Sequence, residues 1–415
     1  MAILRLKDKT TETIKYAVPL LSIKLVHEHY YFISLRQLKQ KIIVKRVIVS
    51  VINDLVTDRR VDKVCRFLDE LGFDVLLVGR KKTDSLPLEE RPYPCHRMKL
   101  LFENGPFFYA EFNLRLFFFL LFRKAGLLLS NDLDTLLPNS LISRLKNIPL
   151  VYDSHELFTQ TPEVIHRKFV QNTWKLIERC IVPELRDAYT VNASIARIFG
   201  FLYGTEFKVV RNIPEKINLV NPASRKELGL PLDKKIILMQ GAGINVQRGA
   251  EELVRSMSYL DDSYLLLIIG GGDVMGELKK IASEELAGGR VIFKPKMPFK
   301  KLQNYTIKAD LGVSIDKDSN LNYRYSLPNK LFDYIHAQIP VLISDLPEIK
   351  RLVVKYRIGE VIEKHSPEEI ASKIREMLSD GQKLTEWREN LKFASEELNW
   401  ENEKNVLRGI YQKYV

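Results

Sequence analysis

The sequence predicts an α/β protein made of two doubly wound parallel-sheet domains in tandem. Short apolar runs alternate with stretches of helical period along most of the chain, the strand, helix, strand order that builds a parallel sheet. The alternation is interrupted by "IPEKINLVNPASRKELGLPLDKK" at 213–235, which holds three prolines and no long apolar period. A length of 415 residues also exceeds what one hydrophobic core usually supports.

The elements follow in order. "RVIVSVIND" at 46–54 reads as a buried strand ending in a polar turn, and "RVDKVCRFLDELG" has helical spacing and stops at Gly72. "DVLLVGR" at 74–80 is the next strand, Leu114–Lys124 a helix, "GLLLSND" at 126–132 a strand, "LDTLLPNSLISRLKN" a helix and "PLVYDSHE" at 149–156 a strand. The helical "FVQNTWKLIERCIVPELRD" and the short strands "AYTVN" and "FKVVRNIPE" close the first series, and the linker falls at 213–232. The second series opens with "KIILMQG" as strand, "GAEELVRSMSYL" as helix and "SYLLLIIGGG" as strand. It continues with "MGELKKIASEEL" (helix), "VIFKPK" (strand), "PFKKLQNYTIKA" (helix), "DLGVSID" (strand), a helix opened by Ser-Leu-Pro-Asn-Lys, and "PVLISD" (strand). Ser366, Pro367 and Glu369 write the start of a further helix as a capping box. "EELNWENEKNVLRGIYQKY" reads as a terminal helix. The resulting division is an extension at 1–45, domains at 46–213 and 214–390, and a C-terminal helix at 391–415. Two such domains put the site in the cleft between facing strand ends.

Composition narrows the function classes. A net charge of +12 and a pI near 9.3 point to an anionic partner: nucleic acid, a phosphorylated small molecule or an acidic membrane face. No nucleic-acid recognition module accompanies the charge, so nucleic acid is not expected. The cysteines, Cys65, Cys95 and Cys180, have neither paired nor metal-ligand spacing, which suggests a reducing compartment. The N-terminus lacks a secretory signal, and a cytoplasmic location is expected. The apolar run "LRLFFFLLF" at 114–122 is too short to span a bilayer. It reads either as a buried helix or as one resting on a membrane interface, with Arg115, Arg123 and Lys124 at head groups. "KYAVPLLSIKLVHEHYYFISLRQLKQKIIVKR", within and just past 1–45, is amphipathic and basic, suited to packing on the first domain or holding a membrane surface. No metal-ligand spacing, Gly-x-Ser-x-Gly elbow or Walker loop occurs.

Five segments carry candidate chemistry. Gly241 and Gly243 join a strand to a helix that Arg248 and Gly249 open, a turn that either cradles a phosphate or simply tightens the junction. Gly270, Gly271 and Gly272 form a second such turn at the next strand's end. In "SLPNK", Ser326, Leu327, Pro328, Asn329 and Lys330 start a helix: Pro328 presets φ, and Lys330 supplies charge to an anion at that N-terminus. Asp333, a turn further, is placed to accept from a sugar hydroxyl; the plainer reading is a capped helix with solvated Lys and Asp. "YDSHELF" brings Asp153, His155 and Glu156 to a strand end, where the imidazole either orients a ligand or bonds a loop carbonyl. "NDLVTDRRVDK" presents Asp54, Asp58, Arg59, Arg60 and Lys63 on a strand-to-helix turn that either holds an acceptor or is a solvated helix start.

Taken together, "NDLVTDRRVDKVCRFLDELGFDVLLVGR", "VYDSHELF", "GINVQRGAEELVRS", "LLLIIGGGD", "VIFKPKMP" and "YSLPNKLFDYIHAQIPVLISDLPEIKRLV" resemble retaining glycosyltransferases of the GT-B fold, the family 4 or group 1 type that includes bacterial cell-surface polysaccharide enzymes. The resemblance covers about residues 45–410. It implies two Rossmann-like domains, the first binding a glycan or lipid-linked acceptor, the second a nucleoside-diphosphate sugar, with the last helix crossing back to the first. By position, Gly241, Gly243, Gly270, Gly272, Arg248 and Lys330 would meet the diphosphate, Lys294 would border the base, and Asp333 would hold the ribose. His155 would face the donor sugar, and Asp54, Asp58, Arg60 and Asp153 would line the acceptor side. Tyr325 stands where the family has the first Glu of a Glu-x7-Glu pattern, with Arg324 and Ser326 beside it as substitutes. The resemblance implies no bound metal or cofactor beyond the sugar donor, and a peripheral place on an anionic inner membrane face. Two other readings keep the fold: a catalytically silent scaffold subunit and a nucleotide-sugar epimerase.

Overall fold

The computed structural model describes residues 45–415 other than 57, 217, 218, 220 and 287, so nearly all of the N-terminal extension lies outside the described residues. Seven parallel strands form the first sheet in the order β3-β2-β1-β4-β5-β6-β7. They are β1 (Arg46–Asp54), β2 (Asp74–Lys81), β3 (Cys95–Lys99), β4 (Leu127–Asn131), β5 (Leu150–Ser154), β6 (Asp187–Thr190) and β7 (Phe207–Val209). Six more form the second, in the order β10-β9-β8-β11-β12-β13. These are β8 (Lys235–Gly241), β9 (Tyr264–Gly270), β10 (Val291–Lys294), β11 (Leu311–Ser314), β12 (Val341–Ser344) and β13 (Gly359–Ile362). The central strands are apolar on both faces because helices cover both. Val47 to Ile52 of β1, all of β4 and Tyr264 to Ile269 of β9 are buried without alternation, as a two-sided parallel sheet requires. In each sheet the order reverses direction beside the first strand, between β1 and β4 and between β8 and β11. That is where a crevice opens at the strand carboxyl ends.

Several elements differ from the sequence reading. The aromatic helix runs Gly105–Leu121, starting earlier than Leu114 with Pro106 in its first turn and ending before Lys124. Its inner row, Phe108, Phe112, Leu116 and Leu120, is buried at four-residue spacing, while Phe107, Leu114, Phe118 and Phe122 are exposed. No helix among the described residues is long and apolar enough to cross a membrane. β3, the helix Ala193–Tyr203 and, near the C-terminus, the helix Pro347–Tyr356 and β13 were not expected. The C-terminal stretch is two helices, Gly381–Glu397 and Trp400–Tyr411, separated where the Asn399 side chain caps the second by accepting from the Asn402 amide.

That last helix belongs to the first sheet's core. Trp400, Leu407, Ile410 and Tyr411 pack with Val47, Val49 and Phe67, and the Tyr411 and Tyr189 hydroxyls share a hydrogen bond of 3.2 Å. Within the linker segment, Ile213 and Leu230 are buried in the second sheet's core. Lys63 binds the linker's start, donating to Asn212 Oδ1 at 3.0 Å and to the Ile213 carbonyl, with its ammonium 4.6 Å from the Trp400 ring.

Candidate functional site

At the second sheet's crevice, the two glycine turns are fitted to each other. Ile244 N donates to the Gly271 carbonyl at 2.8 Å. A Cβ on Gly270 (φ +149°) would lie 1.8 Å from the Gly241 carbonyl oxygen, and one on Gly272 (φ +158°) 2.0 Å from that of Ile244. These glycines are therefore demanded by close backbone packing. Gly243 has room for a side chain, its nearest neighbour being Asn245 at 3.5 Å. Gly249, at φ +72°, lets the turn approach the exit of β11, where an added Cβ would meet the Ile315 carbonyl oxygen at 2.3 Å.

That approach brings Arg248 onto Asp316, two residues past the end of β11. The guanidinium Nη1 is 2.7 Å from Asp316 Oδ2 and stacks 4.1 Å above the Tyr323 ring. Lys330 Nζ reaches the other oxygen of the same carboxylate at 3.7 Å. Asp316 is 2% exposed, so two cations converge on one buried anion and the cluster carries one positive charge in surplus. Burial works against the Arg248 charge, but Asp316 outweighs it and holds the guanidinium above its ordinary range. For Lys330, burial lowers the ammonium, Arg248 lowers it further and Asp316 opposes them. Lys330 lies in the first turn of the helix Asn329–His336, whose N-cap Pro328 contributes no side-chain hydrogen bond. An unclosed helix start beside two cations is a receiver for an anion.

The remaining second-domain candidates lie around this cluster. Asp333 is 6% exposed; its Oδ2 accepts from Gln240 Nε2 at 2.9 Å, and its Oδ1 has no partner among the described residues. Burial pushes this carboxyl up to about 6, against the pull of Arg59, Gln240 and Lys63. Lys294 sits 5.2 Å from the Tyr305 ring, and the Lys296 chain lies against Gly271. Leu327 packs on the second core, and the Ser326 hydroxyl is buried without a partner. Tyr325 turns the other way: its side chain packs with first-domain residues that include Leu157 and Trp174, and its carbonyl accepts from Asn192 Nδ2 at 2.8 Å. Arg324 points to Asp318, 3.6 Å away.

The facing end of the first sheet is a charge relay in space. Arg60 grips Asp153 with two hydrogen bonds of 3.0 and 2.7 Å, both side chains almost wholly buried. Asp153 Oδ2 lies 3.3 Å from His155 Nε2, and His155 Nδ1 lies 3.0 Å from Asp132 Oδ2. The imidazole resists burial because Asp132 and Asp153 flank it, and it is held well above its usual value as a cation. Asp132 adopts φ +58°, which is strained for an aspartate, and its Oδ1 accepts from the His155 amide at 2.8 Å. His155 keeps 17% of its side chain exposed. Arg60 and Asp153 are therefore occupied with each other and with His155, Arg60 Nη1 donating to the Val210 carbonyl besides. Asp54 is bonded by Arg97 at 2.9 Å and Ser85 at 2.6 Å, and Asp58 caps the helix Arg59–Glu70 through Val61 N at 3.1 Å.

A short helix, Leu321–Arg324, ties the two ends together. Asn322 Nδ2 donates to Glu156 Oε2 at 2.8 Å, and Asn322 Oδ1 accepts from Leu157 N at 3.2 Å. Asp132, Asp316 and Asn322 had no place in the sequence reading, although the two aspartates end or follow the apolar strands "GLLLSND" and "DLGVSID", a position where polar residues face a crevice. Among the described residues no group of three or more His, Cys, Asp or Glu side chains is arranged to hold a metal ion.

Comparison with known proteins bears on the fold. Residues 220–392, which carry the Arg248, Asp316 and Lys330 cluster, match the family model described as glycosyl transferases group 1. No protein of curated function matches the chain. Sucrose-phosphate synthase from Thermosynechococcus elongatus superposes with a TM-score of 0.73 at 17% identity, covering 89% of this chain and 98% of that one. WaaG, a glycosyltransferase involved in lipopolysaccharide biosynthesis, gives 0.64 at 15% identity, covering 88% and 99%. Anabaena HepE in complex with UDP-glucose gives 0.65 at 13% identity, covering 89% and 100%. The fold is thus GT-B, two Rossmann-like parallel sheets with a crevice between their strand ends.

Proposed function

We propose that this protein transfers a sugar from a nucleoside diphosphate to a hydroxyl of a glycan or lipid-linked acceptor, with retention at the anomeric carbon, in the synthesis of a cell-surface polysaccharide. The observation that carries the reading is the convergence of Arg248 and Lys330 on the single carboxylate of Asp316, inside the group 1 domain and at an uncapped helix start. A surplus cation there suits a diphosphate leaving group, whose negative charge grows as the glycosidic bond breaks. Fixed donors aimed at developing charge are the general means of lowering such a barrier.

In this reading Arg248, Lys330 and the turn at Gly241 and Gly243 receive the diphosphate, without a metal ion. Gly270 and Gly272 shape that turn, Lys294 borders the base, and the unpartnered Oδ1 of Asp333 accepts from the ribose. His155, held as a cation by Asp132 and Asp153, faces the donor sugar. The acceptor hydroxyl attacks on the leaving-group face through an oxocarbenium-like transition state, and its proton passes to the departing phosphate. Arg60 and Asp153 become supports for His155 in place of acceptor contacts, because their polar atoms are already bonded within the protein. Asp54 and Asp58 are bonded within the protein in the same way, so they too become supports, and the acceptor side is left to other first-domain residues.

Calorimetric titration with UDP, GDP, ADP and dTDP and with their sugar conjugates tests the reading, followed by NMR of the anomeric proton in the product. We expect one nucleotide to bind, its conjugate to be turned over in the presence of EDTA, and the anomeric configuration to be kept. No binding by any nucleotide would sink the proposal. Binding without release of nucleoside diphosphate would leave a silent scaffold.

A further inference from the structure

Position 325 is engaged on the first-domain side. Tyr325 packs its side chain into the first domain, and Asn192 takes its carbonyl. Asp316 is unsuited to a sugar contact, since it is buried and engaged by both Arg248 and Lys330. Another carboxyl, on the first domain, is bonded to the short helix that precedes position 325.

Glu156 follows His155 at the exit of β5. Its Oε2 accepts from Asn322 Nδ2 at 2.8 Å, and among the described residues no donor is bonded to Oε1. Asn322 sits in a four-residue helix whose start is fixed by Asn320, which accepts from Tyr323 N at 2.9 Å. Tyr323, the next residue, is the ring beneath the Arg248 guanidinium. Glu156 thereby follows the imidazole of His155 in the chain and is tied, through Asn322, to the short helix whose Tyr323 ring the Arg248 guanidinium covers. We infer that Glu156 is the carboxyl that contacts a hydroxyl of the donor sugar, supplying from the first domain what position 325 does not supply from the second. Burial raises this carboxyl to about 7, with Asp132 adding to the rise and the Asn322 hydrogen bond opposing it. Near neutral pH it can therefore either accept from a sugar hydroxyl or donate to its oxygen. The inference rests on the donor site proposed above and adds the residue that distinguishes a nucleotide sugar from a bare nucleotide.

The experiment measures, by calorimetry, how much tighter each sugar conjugate binds than its nucleoside diphosphate alone. Wild type, Glu156→Ala, Glu156→Gln and Asn322→Ala are compared with UDP, GDP, ADP and dTDP and with their glucose and mannose conjugates. We expect nucleotide affinity to stay level in all four. The sugar's added affinity should fall about tenfold or more in Glu156→Ala, the scale of a hydrogen bond to a charged group. It should fall less in Glu156→Gln and persist in Asn322→Ala, which removes the tie between the domains but keeps the carboxyl. An unchanged increment in Glu156→Ala, an equal loss in Asn322→Ala, or a wild type that gains nothing from the sugar overturns the inference. Should Glu156→Ala fail to fold, Glu156→Gln carries the test: unaltered sugar discrimination in it overturns the inference as well. Absence of nucleotide binding by the wild type is a different result, and strikes the donor site itself.

Discussion

The strand ends of the two sheets share one topology and differ in charge. On the first, Arg60, Asp153, His155 and Asp132 alternate in sign and cancel, each ion-paired with the next. On the second, Arg248 and Lys330 share Asp316, and one positive charge remains over. A parallel sheet whose order reverses always leaves a crevice there. What the crevice does is decided afterwards, by whether its charges are satisfied from within. The neutral end holds an imidazole in place; the other keeps a positive charge unmatched, which in the proposed function receives an anion.

Three changes break or sharpen that contrast. Arg60→Met takes both short hydrogen bonds from the fully buried Asp153 and leaves it only His155 at 3.3 Å, and we expect a loss of about 3 kcal/mol, read as a lowered urea midpoint. A loss below about 1 kcal/mol would place the pair among weak surface bridges and end its role as a support. Lys330→Met should behave oppositely, because Asp316 keeps Arg248. Turnover of the nucleotide sugar should drop about 10²-fold, as for loss of one charge-stabilising donor, while the urea midpoint barely moves. A midpoint that falls as far as in Arg60→Met would make the second end a support too. Lys63→Met probes the seam between the two. The Lys63 hydrogen bonds go to neutral carbonyl oxygens, and burial, with Arg60 and Arg59 adding, lowers its ammonium from 10.5 to about 7. Between those values the unfolded chain holds a proton that the folded one lacks, so wild-type stability declines as pH falls through that window and levels off below it. The variant lacks this slope. Its stability relative to wild type should rise by up to about 1 kcal/mol for each unit lowered between about pH 10 and 8. Parallel curves would show a lysine that stays charged.

The strands were legible because two-sided burial writes them as unbroken apolar runs, as in "RVIVSV" and "YLLLII". β3 and β13 were not, since "CHRMK" and "GEVI" lie at sheet edges where polar residues are tolerated. The terminal pair of helices read as one because the break at Leu398 and Asn399 contains neither Gly nor Pro. In the site, Arg248 and Lys330 could be read from glycine turns and a proline helix start. Asp316 could not, for its meaning comes from where Arg248 and Lys330 arrive, 68 residues before it for the arginine. Arg60 and Asp153, 93 residues apart, looked like separate candidates and are one buried unit. The strained backbone of Asp132 leaves no mark in the sequence, since an aspartate at a strand exit is ordinary.

The helix Trp400–Tyr411 has a consequence for how the chain is made. Tyr411 meets Tyr189 across 222 residues, and it fills a core whose other walls leave the ribosome long before it does. Domains generally fold in order of synthesis. Here the earlier domain must wait, its hollow open, until the later domain has been translated, and a premature stop in the last helix would injure the half of the protein farthest from it in sequence.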